Sequence, residues 1–223
     1  MDHPVFDHEG PWTEDAYLAL PRTDRVEVVE GTLLVGAGTS VERAAAVAAV
    51  REAVSAALPD GLQVRGPVAL RLSPDCVLVP DLIVTTAGDE EEAEQEQAAA
   101  ESERDTAGDK PVGTVGGDEV LDASAALMVI EVIGREHGAV DRTFKPQLYA
   151  GVRIPYLLLV DHHGPFAVAE MIISGRYHEY ARAQGDEPLR LEEPFQLDLD
   201  LNAVAAPPVT APATAPEETQ TVG

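Results

Sequence analysis

Two apolar runs close together in the chain limit its fold more than any other feature. ALMVIEVI, residues 126–133, and IPYLLLVD, residues 154–161, are each apolar along nearly their whole length. Neither can leave one face in water, so each reads as a strand covered on both sides. Between them, the segment from Asp141 or Thr143 to Ala150 reads as a helix. Strand, helix and strand in this order imply a parallel pair joined by a right-handed crossover.

The remaining elements must dock on that pair. TEDAYLAL, 13–20, reads as a short helix with Thr13 as its N-cap and acids in its first turn. RVEVVEGTLLV, 25–35, reads as two short strands around a Glu30-Gly31 turn. From Val41 to Leu58, the residues Val47, Val50, Val54 and Leu58 recur at helical spacing, and Pro59-Asp60-Gly61 ends the segment. LQVRGPVALRL and VLVPDLIV read as a pair of strands linked by the turn Ser73-Pro74-Asp75. FAVAEMII and RYHEY flank Ser174-Gly175, a two-residue hairpin signal. Antiparallel hairpins beside a parallel crossover predict an α/β fold with a mixed central β-sheet flanked by helices.

Charge and composition set the boundaries. Of the 223 residues, 45% are hydrophobic, enough for one domain with a proper core. GDEEEAEQEQAAAESERDTAGDKPVGTVGGDE and its margins, 88–121, hold almost nothing apolar and read as a surface insertion that does not order itself. The Pro/Ala/Thr-rich segment 205–223 reads as a disordered tail, and 1–12 as an N-terminal arm, leaving 13–204 as a single domain. The net charge of −25 falls only in part on the insertion, whose residues 88–119 carry 12 acids against Arg104 and Lys110. An acidic surface offers no electrostatic footprint for a phosphate backbone, so any nucleic-acid function must rest on local chemistry. The single cysteine, Cys76, fits a reducing, cytoplasmic setting. No leader pattern and no membrane-length apolar run appear, so no membrane association is expected.

Several familiar sites fail on inspection. Gly36-Ala37-Gly38 lies between a strand and a helix, but Val41 stands where a dinucleotide motif needs its third glycine, and no Walker lysine follows. No G-x-S-x-G elbow occurs, and Cys76 lacks the local signature of a nucleophile. His162-His163 reads as a solvated turn, since no spaced cysteine or histidine completes a zinc set.

Three lone acids are more informative. Glu131 lies in MVIEVI, Asp81 in VLVPDLIV and Glu27 in RVEVV. A buried carboxylate is costly unless it is paired, hydrogen-bonded or bound to a metal. Acids on neighbouring strands repel unless a cation or a shared proton relieves them. Hard oxygen ligands of this kind suit Mg²⁺ or Mn²⁺, and a nearby lysine can orient an attacking water or offset charge on a scissile phosphate. Lys145, on the predicted helix, is the candidate. The simpler alternative is a Glu131–Lys145 salt bridge with Asp81 exposed at a strand end.

The pieces RVEVVEGTLLV, VPDLIV and VIEVIGREHGAVDRTFKPQLYAGVRIPYLLLVD, within 13–200, resemble the Uma-two family of restriction-endonuclease-like proteins. That family lies in the PD-(D/E)XK nuclease superfamily. The resemblance implies that Pro80-Asp81 supplies one metal-binding acid and Glu131 the other. It implies that Lys145 replaces the usual lysine, whose place two residues after the acid is taken by Ile133, and that Glu27 assists. Asp141 matches an acid that opens the helix, where an N-cap role suffices, and Tyr149 reads mainly as packing. The chain departs from the family pattern at Gly134-Arg135, where Ser-Pro is common, and at Glu42-Arg43, where a histidine is common. The expected function is a Mg²⁺-dependent endonuclease acting on nucleic acid, with DNA favoured and a homodimer left open. The alternative is a catalytically inactive relic of the fold that serves as a binding or regulatory module.

Overall fold

The expected parallel pair lies inside the larger of two sheets. The computed structural model describes residues 8–20, 26–36, 40–88, 120–134 and 140–205. In it β8 (Met128–Ile133) runs parallel to β9 (Tyr156–Asp161), with Glu131 opposite Leu159. β10 (Phe166–Ile173) and β11 (Arg176–Gln184) extend the sheet beyond β9 as a hairpin. Its turn is Ser174-Gly175, with φ of 53° and 79°. On the other side lie β6 (Leu82–Thr86) and β3 (Leu62–Arg65), giving the order β11-β10-β9-β8-β6-β3. Every neighbouring pair except β8–β9 is antiparallel, so the sheet is mixed, as expected.

A second, five-stranded sheet has the order β2-β1-β5-β4-β7. It comprises β1 (Val26–Val29), β2 (Thr32–Val35), β4 (Ala69–Ser73), β5 (Cys76–Leu78) and β7 (Val120–Asp122). Its existence corrects the expectation for residues 62–84. LQVRGPVALRL is not one strand but two, β3 and β4, which belong to different sheets. VLVPDLIV likewise divides into β5 and β6. Both breaks fall at a proline, which has no N–H for a ladder and so ends each strand. The two crossings touch. Gly66 adopts a φ of +138°, and a Cβ there would lie 2.4 Å from the Asp81 carbonyl oxygen. Only glycine fits this approach.

Alternation along β8 assigns the two faces of the six-stranded sheet. Met128, Ile130 and Val132 enter one core with Ala46, Val50 and Val54 of α2 (Val41–Ala57). The same core takes β12 (Leu189–Leu191), β13 (Leu197–Leu199) and α4 (Leu201–Val204). Val129 and Ile133 enter the other core with Leu70 and Leu78 of the second sheet and Tyr149 of α3 (Lys145–Gly151). Glu131 belongs to that second face by its parity. Ser40 caps α2 by accepting from Arg43 N at 3.2 Å, and Thr13 caps α1 (Glu14–Leu18) by accepting from Ala16 N at 3.3 Å. Caps of this kind contribute about 1 kcal/mol each.

The expected helix after β8 starts differently from its forecast. Residues Val140–Phe144 form a π-helical turn that runs directly into α3. The end of the expected insertion is also corrected, because β7 pairs in parallel with β4 and Leu121 is buried. Most of the remaining insertion (89–119), the first part of the arm (1–7) and most of the tail (206–223) lie outside the described residues. No helix among the described residues is long and apolar enough to cross a membrane.

Candidate active site

The six-stranded sheet and the second sheet face each other across the core that contains Tyr149, and four charged side chains meet in the seam between them. Lys145, in the first turn of α3, points its Nζ to Glu27 Oε1 at 2.9 Å, Asp141 Oδ1 at 3.0 Å and Glu131 Oε1 at 3.3 Å. All four residues are buried. Glu27 comes from β1, Glu131 from β8 and Asp141 from the π turn, so each acid arrives on a separate element. Asp141, four residues before Lys145 in sequence, lies in the π turn and reaches its ammonium.

Two of the carboxylates are also held by further hydrogen bonds. Val79 N–H donates to Glu27 Oε1 at 2.8 Å, and Tyr149 donates its hydroxyl proton to Glu131 Oε1 at 2.7 Å. Burial of so many charges is poor economy for stability alone, since apolar residues of the same volume would serve as well. Such clusters are found preferentially at functional sites.

Asp81 stands at the start of β6. Leu82 faces Ile130 across the ladder, so Asp81 is level with Glu131 on the adjoining strand. It is buried rather than exposed at a strand end. Its Oδ2 accepts from Val132 N at 2.7 Å and from an Arg43 guanidinium nitrogen at 2.8 Å. Arg43 also donates its Nε–H to the Val132 carbonyl at 3.0 Å.

The structure therefore brings together Glu27, Glu131 and Lys145 as expected, and places Asp81 beside them with a cation of its own. The simple Glu131–Lys145 salt bridge is present, but as one contact of a larger cluster. Two residues set aside on sequence grounds belong to it. Asp141 is not an N-cap, because the π turn carries it into the buried cluster, where it pairs with Lys145. Tyr149 packs in the core and also bonds Glu131, and its i+4 spacing from Lys145 already put both on one helix face. Arg43 was noted only as part of the departure from the family pattern at Glu42-Arg43, and no role was expected of it. A further signal was its basic charge in the first turn of a helix, where the macrodipole disfavours a cation.

Among the described residues, three carboxylates, Glu27, Asp141 and Glu131, gather around the Lys145 ammonium. Asp81 pairs with Arg43. Among the described residues, no three Asp, Glu, His or Cys side chains close a metal cage by themselves. One or two carboxylates with water and substrate phosphate suffice for Mg²⁺, so the donor set suits that kind of ion, while an all-protein cage is not formed.

His162-His163 lies close by, at the end of β9, and only half of the expected solvated turn is observed. His163 is exposed, but His162 is 2% exposed and its ring lies tilted by 51° against that of His163, with centroids 4.1 Å apart. Asp161 closes the turn by accepting from His163 N at 2.9 Å. Burial, aided by the His163 and Arg43 charges and opposed by Asp161 and Glu42, holds the His162 pKa below its ordinary value. The unfolded chain takes up this proton near pH ~6.5 and the folded chain does not, so stability present above that pH declines below it. Urea unfolding of the wild type should weaken more between pH ~7.5 and ~5.5 than that of His162→Gln. Identical pH slopes in the two proteins would show that His162 is protonated in the fold as readily as in the unfolded chain. Cys76 is buried and its thiol is pushed up to about 11, chiefly by that burial, which suits a core residue rather than a nucleophile.

Comparison with known proteins places this geometry in context. A crystal structure of a protein described as a putative nuclease belonging to DUF820, from Anabaena variabilis ATCC 29413, superimposes with a TM-score of 0.62 at 14% identity. The match covers 87% of this chain and 97% of that one, and shows a shared fold. No curated protein matches the sequence. The model of the Uma2 family, described as putative restriction endonuclease, matches residues 14–204, which include every residue of the cluster. The chain belongs to the Uma2 family.

Proposed function

We propose that the chain is a divalent-metal-dependent endonuclease that hydrolyses phosphodiester bonds in nucleic acid, with DNA as the preferred substrate. The observation that carries this reading is the buried Lys145 ammonium surrounded by Glu27, Glu131 and Asp141, with Asp81 level with Glu131 on the next strand. Three carboxylates gathered in a buried seam repel one another and are a donor set that suits a doubly charged cation. Asp81 and Glu131 are the residues that would hold Mg²⁺ or Mn²⁺. When bound, such an ion supplies Lewis-acid stabilisation and a water of lowered pKa.

The chain's own residues perform the rest. Lys145 presents N–H donors, and in this role one of them faces the attacking water or the non-bridging oxygen on which charge develops. Glu27 and Asp141 hold that ammonium in place, and Tyr149 fixes the Glu131 carboxylate so that it does not rotate away. Glu27 is itself anchored through the Val79 amide, which ties the second sheet to the site. With a net charge of −25, the protein gains no long-range attraction to a polyanion, and binding depends on contacts inside the seam. A cytoplasmic setting, where such a substrate is available, suits this reading.

The test is direct. The purified protein is incubated with supercoiled plasmid, single-stranded DNA and RNA, with Mg²⁺ or Mn²⁺ or with EDTA. Nicking and linearisation of plasmid that require the divalent ion are expected. An absence of cleavage on all three substrates, together with no measurable Mn²⁺ binding, would favour the inactive relic, acting as a binding or regulatory module.

A further inference from the structure

Arg43 is placed in a way that neither helix chemistry nor core packing accounts for. It is the third residue of α2 after the Ser40 cap, in the first turn, where the exposed N–H groups already make the helix end positive. A cation there weakens the helix locally. Its side chain nevertheless folds inward, 14% exposed, and is fixed at two points on the neighbouring sheet. One guanidinium nitrogen lies 2.8 Å from Asp81 Oδ2, and Nε lies 3.0 Å from the Val132 carbonyl oxygen. The Val132 amide donates to the same Asp81 oxygen at 2.7 Å. Asp81 is thus a buried carboxylate whose charge is already answered by a cation from another element.

We propose that Arg43 is a built-in counter-ion of the metal centre: it occupies Asp81 while no divalent ion is bound, and metal binding has to displace it from that carboxylate. The inference rests on the reading that Asp81 and Glu131 hold the ion. Around Lys145 the gathered carboxylates attract a divalent ion, whereas at Asp81 the positive guanidinium repels one and competes for the same oxygen. Arg43 is then an affinity-determining residue. Its release would leave Asp81 available and the centre one charge more negative.

The experiment compares Mn²⁺ binding by calorimetry, and thermal unfolding with and without MnCl₂, in the full-length wild type and in R43Q, R43K, R43Q/D81N and E131Q. R43Q is expected to bind Mn²⁺ about tenfold or more tightly than the wild type, from the loss of one nearby positive charge. Without metal it should unfold at a lower temperature, and Mn²⁺ should raise its midpoint by more than it raises the wild type's. The gain should disappear in R43Q/D81N. R43K retains the charge but cannot span both Asp81 and the Val132 carbonyl, so it should fall between the two. If R43Q does not fold, R43K carries the comparison with the wild type. Mn²⁺ binding that depends on Glu131 but is unchanged or weaker in the folded Arg43 variants overturns the counter-ion role and leaves the metal site standing. Absence of Mn²⁺ binding in the wild type and in the Arg43 variants overturns the metal reading itself, and the inference with it.

Discussion

Exchanging Lys145 for methionine is expected to destabilise the protein by about 3–5 kcal/mol, the range for breaking a buried ion pair by removing one partner. Methionine fills a similar volume, so the loss would come from charge rather than from a cavity. Glu27, Glu131 and Asp141 would remain buried together with no ammonium within reach of all three. Chemical unfolding measures the change, and a double-mutant cycle separates its origin. Adding Glu131→Gln to Lys145→Met removes one of the repelling charges, so the double variant should be less destabilised than the two single effects added together. The coupling expected for groups in one network is about 0.5–3 kcal/mol. Strict additivity would mean that Lys145 stabilises the fold independently of Glu131. The same lysine variant should also lack nuclease activity.

Glu131→Gln is expected to have the largest effect on activity with a modest effect on the fold. The amide keeps the size of the carboxylate, and its oxygen can still accept from Tyr149 and Lys145, which lie 2.7 and 3.3 Å from Glu131 Oε1 in the wild type. The cost to stability should stay near the ~1.5–3 kcal/mol of a hydrogen bond to a charged group. Cleavage should fall by more than about 100-fold, because even outer partners of metal ligands are worth about 10–100-fold. Mn²⁺ affinity should fall in parallel. Plasmid nicking by the variant at the wild-type rate would remove Glu131 from the chemistry and point to a contaminating nuclease.

The two variants share one structural cause. β8 is buried on both faces, so a charge placed on it can be satisfied only by groups that other elements bring to it. Tyr149 and Lys145 come from α3, Asp141 from the turn before it and Glu27 from the second sheet. The proximity of Asp141, Lys145 and Tyr149 follows from the crossover between β8 and β9, which returns the chain across that face of the sheet, whereas Glu27 is brought by the second sheet packed there.

Much of this was legible in the residues themselves, for a definite reason. An acid inside an apolar run departs from the local pattern, so Glu131 and Asp81 announce themselves without a structure. The apolar runs 126–133 and 154–161 could be reconciled only by a parallel crossover, which is observed. The hairpins at Glu30-Gly31 and Ser174-Gly175 were also readable, because few residues tolerate the positive φ that such turns require.

Other features were decided only in three dimensions. The alternation of LQVRGPVALRL and the apolar run of VLVPDLIV both continue past their prolines, so the pattern could not show that each segment passes from one sheet to the other. Asp141 looked like a helix cap because its burial depends on a π turn, and Arg43 stood out only as a departure from the family pattern because nothing local directs its side chain inward. By itself the sequence determined the parallel pair, the lone acids and the lysine four residues before Tyr149, all of which are properties of short segments. The tertiary structure alone decided which cation meets which carboxylate, giving Lys145 to Glu27, Asp141 and Glu131, and Arg43 to Asp81. Charge pairing acts over a few ångströms between elements far apart in the chain, and no local pattern encodes that distance.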